Sequence, residues 1–425
     1  MTDLKGDKAM FKKLKVNRNV LLTSIGAGFE YYDFIIYGML AGYLSELFFK
    51  SADPAVALFQ TFAIFFTGYL VRPLGGVFFG LMGDRYGRKK TFIVVMLLMA
   101  ASTFLIGCLP DFDQIGLLAP LLLLVLRIIQ GFSFGADLPN AMTMSCEFVE
   151  EKNRAVQTGY VMSSAALGSM LASLFSYFLA AHFVKEDILS YAWRMPFLFG
   201  GLLAIIGLYL RIKLVEPDAF LKEEHKAKSL MLPLKEIFQN HLWSVIRAMG
   251  VLMIIATMII GVIYLLSFLN MEYGYEKSDL FLANTLSLVW SALSLPLMGF
   301  ISDRVGRKRL FSLMALLLIF GIWSMFGLLD LKHFTALVAF FCLYQTFISG
   351  LVVNYFPILS QLFPTEIRFT AIALSYNIVF SLAGMVPMIL SYLQIFYKGS
   401  LTIILFYVGV AFFSFAMARF LRRIR

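Results

Sequence analysis

Two carboxyls and a guanidinium stand inside apolar segments of this chain, and its chemistry must centre on them. Glu30, Asp33 and Tyr37 share one face at helical spacing in Gly26-Ala27-Gly28-Phe29-Glu30-Tyr31-Tyr32-Asp33-Phe34-Ile35-Ile36-Tyr37-Gly38, with Phe34 beside them. Arg127, Gln130, Phe134 and Asp137 fall on one face of the stretch Leu126 to Pro139. A charge at the centre of a membrane helix costs about 2.5–3.5 kcal/mol on insertion scales, so each of these groups needs a cavity, a partner or a proton. Burial and neighbouring acids favour the neutral form of a carboxyl, and a nearby arginine favours the charged form. A carboxyl held between these influences can load and release a proton. Asp33 is the first candidate for that group, with Glu30 and Asp137 behind it and Arg127 as the counter-charge. Two plainer readings stay open: acids wetted near a membrane interface, and a structural ion pair between Arg127 and an acid of the first helix.

The elements that must position these residues are membrane helices. The 425 residues are 60% apolar, with a mean hydropathy of +0.82, far above a soluble average. Twelve apolar runs of spanning length lie near 20–47, 56–80, 90–110, 117–147, 154–182, 191–214, 243–271, 279–301, 309–329, 334–360, 368–394 and 400–421. Backbone groups in lipid must bond internally, so these runs are helices. The net charge of +10 is not that of a nucleic-acid binder. Lys and Arg cluster at 5–18, 85–90, 152–154, 211–235, 304–309 and 419–425, and the alternate loops are sparse. This is the positive-inside pattern, with both termini cytoplasmic. Cys108, Cys146 and Cys342 lack paired spacing and the four His are scattered, so neither a disulfide nor a metal site is expected.

One loop is written twice. Gly76 to Lys90 contains Gly80-Leu81-Met82-Gly83-Asp84-Arg85-Tyr86-Gly87-Arg88-Lys89-Lys90, and Gly299 to Arg309 contains Ser302-Asp303-Arg304-Val305-Gly306-Arg307-Lys308-Arg309. Aligned on the Asp, Leu295 stands opposite Gly76 and Ser302 opposite Gly83. A membrane chain with one loop repeated in two halves of similar length reads as two copies of one helical bundle. The expected fold is all-α: twelve transmembrane helices in two six-helix pseudo-symmetric bundles, residues 1–214 and 241–425, joined by a charge-rich cytoplasmic linker at 215–240.

Gly-x-x-x-Gly-x-x-Gly-Asp-Arg-x-Gly-Arg-Lys resembles the loop between helices 2 and 3 of the major facilitator superfamily. Arg127-x-x-Gln130-Gly131 with Gly135 resembles its helix 4 motif. The resemblance implies a cytoplasmic loop whose Asp helps to hold the inner gate shut, which assigns Gly83, Asp84, Arg85, Gly87 and Arg88, and in the second copy Asp303, Arg304, Gly306 and Arg307, to the gate. It also implicates Arg127 in proton coupling. Glu30 to Phe34 with Tyr37-Gly38, Arg72-Pro73-Leu74-Gly75-Gly76, Gln130 to Ser133, Trp193 to Phe197 and Leu362 to Arg368 are together similar to the metabolite:proton symporter branch. That branch takes up proline and betaine, 2-oxoglutarate, citrate or shikimate. Tyr31 and Gly135-Ala136-Asp137 depart from its usual residues.

The resemblance implies a secondary transporter, not an enzyme, that imports a small polar metabolite with protons by alternating access. It would sit as a monomer in a bacterial-type inner membrane and use no cofactor. No Gly-x-x-x-x-Gly-Lys-Ser/Thr loop for ATP occurs, and no nucleophile–base pair is visible. Proton-coupled export is the alternative within transport, and a transport-fold sensor the alternative from another class. Arg72, either a cavity cation or an interface anchor, would with Arg127 suit a carboxylate. The aromatics Tyr31, Tyr32, Phe34 and Tyr37 would suit a quaternary ammonium. Gln130, Tyr264, Tyr376 and Asn377 are neutral recognition candidates, with helix-joining hydrogen bonds as their plainer role. The orientation has a direct test. Single cysteines at Lys50, Asp113, Lys185 and Lys332 react with an impermeant maleimide from outside intact cells, and cysteines at Arg88 and Lys226 do not; the reverse pattern inverts the topology.

Overall fold

The computed structural model describes residues 18–86, 88–135, 151–212, 231–364 and 367–420, and no strand occurs among them. The first membrane crossing, α1, runs Arg18–Met39 and continues as Ala41–Phe48. The second, α2, runs Pro54–Leu70 and continues as Arg72–Tyr86. Then come α3 (Arg88–Gly107), α4 (Leu118–Phe134), α5 (Arg154–His182) and α6 (Met195–Ile212). The second half holds α7 (Leu242–Tyr273), α8 (Lys277–Val305), α9 (Arg307–Leu329) and α10 (Phe334–Leu362). The eleventh crossing, α11, has two segments, Arg368–Ala383 and Val386–Phe396, and α12 is Ser400–Arg419. Where their ends lie among the described residues, most of the expected runs and these helices agree to within a few residues; the expected end of the fourth run, at 147, lies outside them. Asp137 and the linker residues 213–230 lie outside the described residues; Met231–Asn240 at the end of the linker is a helix.

Burial sorts the helices into layers. The apolar window of α7 is 83% buried, against 33% for α9 and α12. The first is therefore central and the other two turn exposed side chains such as Phe320 and Phe412 outward, toward lipid. Central helices approach closely only where side chains are small. At Gly131 of α4, an added Cβ would lie 1.9 Å from the carbonyl oxygen of Gly68 of α2. The most extensive pairing is α5 on α8, one from each half.

Prolines create the sharpest local demand. A proline cannot bond the carbonyl four residues earlier, and in a bilayer that oxygen needs another donor. In α2, Pro73 forgoes the carbonyl of Tyr69, and Ser381 Oγ of α11 donates to it at 2.6 Å. In α8, Pro296 forgoes the carbonyl of Ala292, and Ser163 Oγ of α5 donates to it at 2.9 Å. Both of these oxygens are thus served by a serine from the opposite half, in helix pairs that correspond between the halves: α2 with α11, and α8 with α5. Asn284 Nδ2 to Ser173 Oγ, 3.0 Å, and Ser173 Oγ to the Phe281 carbonyl, 3.0 Å, add to the α5–α8 seam.

Replacing Ser381 or Ser163 by Ala leaves a buried carbonyl short of a donor, at about 1 kcal/mol each. We expect a lower thermal midpoint for each single variant and a near-additive loss in the double variant, because the two sites lie in different seams. A Ser→Thr replacement, which keeps the hydroxyl, should restore part of the loss in differential scanning fluorimetry.

Candidate functional site

The residues singled out on α1 and α4 do come together, in a network unlike the expected ion pair. Arg127 is fully buried. Its Nη1 donates to Gln130 Oε1 one turn along the same helix. Gln130 Nε2 in turn donates to the backbone carbonyl of Asp33, 2.9 Å, and to Thr103 Oγ1 of α3, 2.8 Å. The guanidinium rests on the rings of Phe34, Tyr37 and Phe65 at 4.7, 4.5 and 5.1 Å. Its Nε and Nη2 have no acceptor. The acid on α1 is therefore not the direct acceptor that the apolar setting of Arg127 implies; Gln130 stands between them. The Asp33 carboxyl is turned to the α3–α6 side, where a Cβ on Gly200 would lie 2.5 Å from Oδ1. That oxygen has no hydrogen-bond partner, and an ionised carboxylate there would have no counter-ion within reach among the described residues. Glu30 is also buried.

Arg72 forms a second centre at the break of α2. It is 1% exposed, and five rings surround its guanidinium: Phe134 at 4.5 Å, Tyr69 at 5.2 Å, Phe380 at 5.4 Å, and Phe34 and Tyr376 at 5.7 Å. Three of these rings come from the first half and α1, α2 and α4, and Tyr376 and Phe380 come from α11. Tyr31 and Tyr376 meet across the halves, hydroxyl to hydroxyl, at 3.5 Å. Arg72 Nε and Nη2 have no hydrogen-bond partner. Arg72 is thus buried within the protein, enclosed by rings of both halves.

Two cavities lie between the halves. A vestibule of about 710 Å³ opens on the face away from the basic loops, walled among others by Tyr43, Glu46, Lys50, Asn270 and Lys277. Deeper, a cavity of about 60 Å³ is lined by Tyr31, Met162, Asn284, Ser291 and Gln345 among others. This is room for a few waters and not for a metabolite. Met39 lines both spaces and separates them. Beside it Gly38 presses on Ile263 of α7, whose Cγ2 would lie 2.7 Å from an added Cβ.

Of the sequence-selected recognition residues, none of Phe34, Tyr37, Arg72, Gln130, Tyr264, Tyr376 and Asn377 lines either space. Tyr37 donates to the Thr61 carbonyl at 3.1 Å, Tyr264 packs on Phe62 and Phe268, and Asn377 Nδ2 donates to the Gly135 carbonyl at 3.0 Å. Met39, Phe65, Thr103 and Lys277 were missed as contributors, because none of them has a spacing that marks it in sequence; Tyr31, one of the aromatics considered for an ammonium, does line the deeper cavity.

On the basic face the described residues join the two halves along the α5–α8 side. Asp303 accepts from the backbone N–H groups of Ala155, 3.3 Å, and Val156, 3.0 Å, at the first turn of α5 in the opposite half. A carboxylate at a helix N-terminus meets unsatisfied donors and the positive end of the dipole. Arg307 Nη2 reaches Asp303 Oδ1 at 3.4 Å and the Glu151 carbonyl, and Gln361 Nε2 donates to Glu151 Oε1 at 3.0 Å. Gly306 ends α8 with φ +105°, a conformation that favours glycine, and Arg304 stacks over Phe300 at 3.9 Å. In the first copy α2 continues through Gly83 to Tyr86 and α3 starts at Arg88; the side chains of Asp84, Arg85 and Arg88, and Gly87 itself, lie outside the described residues.

With this geometry in place, comparison with known proteins is decisive for the family. The Major Facilitator Superfamily profile matches residues 23–388. The chain belongs to the major facilitator superfamily. It is 30% identical over 409 residues to the proline/betaine transporter of Salmonella typhimurium, covering 91% of this chain and 80% of that one. It is also 30% identical over 388 residues to the citrate-proton symporter of Klebsiella pneumoniae, covering 89% and 86%. Among solved structures, the inward-open xylose transporter XylE from E. coli aligns with a TM-score of 0.73 at 17% identity, covering 96% of each chain. That likeness carries the fold. The protein is a multi-pass membrane transporter of twelve helices and not an enzyme.

The Asp303 contact has a measurable consequence. Asp303→Ala removes a charged helix cap worth about 1 kcal/mol, so the sealed population should fall about fivefold relative to opened forms. Spin labels at Asn153 and Arg309 should then report a longer distance population by electron–electron resonance. An unchanged distribution would mean that the cap does not hold this face closed.

Proposed function

We propose that this transporter imports a small polar metabolite, a proline- or betaine-like zwitterion or an organic acid, together with protons. The basic face is then cytoplasmic, with both termini on that side, and the vestibule faces outward. The six-helix units 1–214 and 241–425 rock about the central cavity, linked by 215–240, and each chain acts alone. The observation that carries the reading is the buried Asp33 carboxyl. It has an unpartnered oxygen in the space that Gly200 leaves, while the backbone carbonyl of the same residue is joined through Gln130 to Arg127. A proton at Asp33 removes the cost of a bare carboxylate in a low-dielectric interior. Withdrawal of that proton on the other side of the cycle would favour an alternate packing of α1 on α3 and α6, and a shift of the α1 backbone would be felt by Gln130 and Arg127, which hang on the Asp33 carbonyl. Glu30 and Asp137 are further acids of the same route, and Asp84 plays at the α2 end the part that Asp303 plays at α8. The names of the relatives, transporters of proline and betaine and a proton symporter of citrate, support the substrate range and the coupling.

The energetics are sufficient. One proton moving down roughly 150 mV yields about 3.5 kcal/mol, enough for a solute gradient on the order of a few hundredfold. In proteoliposomes, Asp33→Asn should abolish accumulation driven by an acid exterior while retaining exchange between equal solute pools. Arg127→Ala should uncouple as well. Gradient-driven accumulation retained in Asp33→Asn, Glu30→Gln and Asp137→Asn alike would place the proton site elsewhere.

A further inference from the structure

Cations with unmet bonding capacity stand both at the vestibule wall and behind the deeper cavity, and the aromatic cage at the break of α2 is already filled. The Arg72 guanidinium occupies the ring-walled space of Phe34, Tyr69, Phe134, Tyr376 and Phe380. A cage of this kind would otherwise take a quaternary ammonium by cation–π attraction; here the chain supplies its own cation. That cation keeps two N–H-bearing atoms, Nε and Nη2, buried and without acceptors, and Arg127 repeats the same deficit against the other contacts of Phe34. Unmet donors on a buried charge are costly and call for an acceptor in some state of the cycle. A carboxylate fits a guanidinium in fork geometry, with two parallel bonds.

The vestibule repeats the sign. Lys50, Lys185 and Lys277 line it against Glu46. Glu46 is taken by Lys185 at 2.7 Å, and Lys50 is paired with Asp113. Lys277 makes no ion pair among the described residues. Its ammonium lies 3.8 Å above the ring of Tyr43, so a lysine of the second half leans on a tyrosine of the first at the mouth of the passage. From there the route inward meets Met39, then the small cavity, then Tyr31, whose hydroxyl pairs with Tyr376 of the Arg72 cage.

We propose that the solute is an organic anion bearing at least one carboxylate, which docks first on Lys277 and is then held by Arg72 once the Tyr31–Tyr376 contact opens. This rests on the importer reading and narrows its substrate range from zwitterions to acids. A zwitterion's cationic group would meet Lys277 on entry and Arg72 within, with no described acid free to receive it on the vestibule wall.

The test is equilibrium binding to the purified full chain, by calorimetry, with citrate, 2-oxoglutarate and succinate set against glycine betaine and proline. At least one carboxylate should bind. Lys277→Gln, at a half-exposed position, should weaken that binding about tenfold, the worth of one charge-assisted hydrogen bond. Arg72→Lys, which keeps the charge and loses the fork, should weaken it at least as much. Binding of betaine or proline but of none of the three organic anions overturns the proposal, as does anion binding unchanged in both variants. The outcome is separable from the importer reading. Carboxylate binding with no response of uptake to pH would sink the proton coupling and leave the anion site standing, whereas pH-driven uptake of betaine alone would do the reverse.

Discussion

The constraint on which the rest of the structure depends is that no backbone or side-chain polar group in the bilayer can fall back on water. Pro73 and Pro296 each free a carbonyl in the middle of a spanning helix, and each oxygen is met by a serine of the opposite half, Ser381 and Ser163. A hydrogen bond that satisfies a bend also becomes a bond between the halves. The same economy appears at the basic end, where the unsatisfied N–H groups that begin α5 are met by Asp303 of α8. The seams that must part in a transport cycle are thus held by the groups that the fold would otherwise leave unmet. Each such contact is worth about 1 kcal/mol in this setting, so a handful of them can be exchanged without a prohibitive barrier.

The buried charges obey the same constraint less completely. Arg127 is met by one amide and three rings, and Arg72 by five rings, yet each guanidinium keeps donors that nothing answers. Ring faces offset part of the cost of a desolvated cation and leave its directional bonding unused. The Asp33 carboxyl shows the complementary deficit on the other side of α1, in the space that Gly200 leaves. Opposite charges kept apart by Gln130 and aromatic rings form a centre that a proton or a ligand can rebalance. Direct ion pairing would have locked it.

The state of the molecule follows from these contacts. Among the described residues Asp303, Arg307, Glu151 and Gln361 join the halves at the basic face, the opposite face carries a vestibule of about 710 Å³, and the space between is reduced to about 60 Å³. Met39 and the Gly38–Ile263 contact divide the vestibule from the interior. Closure of the central space around so small a volume explains why the recognition residues chosen on α1, α2 and α11 pack against one another and not against an open cavity.

The sequence by itself determined the twelve helices and their order, because a bilayer requires about twenty apolar residues per crossing and punishes unbonded backbone. It also determined the repeat, since Asp84 and Asp303 recur with their glycines and arginines, and it singled out Glu30, Asp33, Arg72 and Arg127 because charge in an apolar run is expensive. Tertiary structure decided the partners. Arg127 found Gln130 and not an acid, since residues three apart on one helix meet whatever their neighbours do, whereas the turn of Asp33 toward Gly200 depends on how α1 packs on α3 and α6. Ser163, Ser381 and Lys277 carry no mark in the chain, because a serine is a cross-half donor only where another helix's proline has freed a carbonyl, and a lysine at a helix end is unpaired only where the acids beside it are already taken.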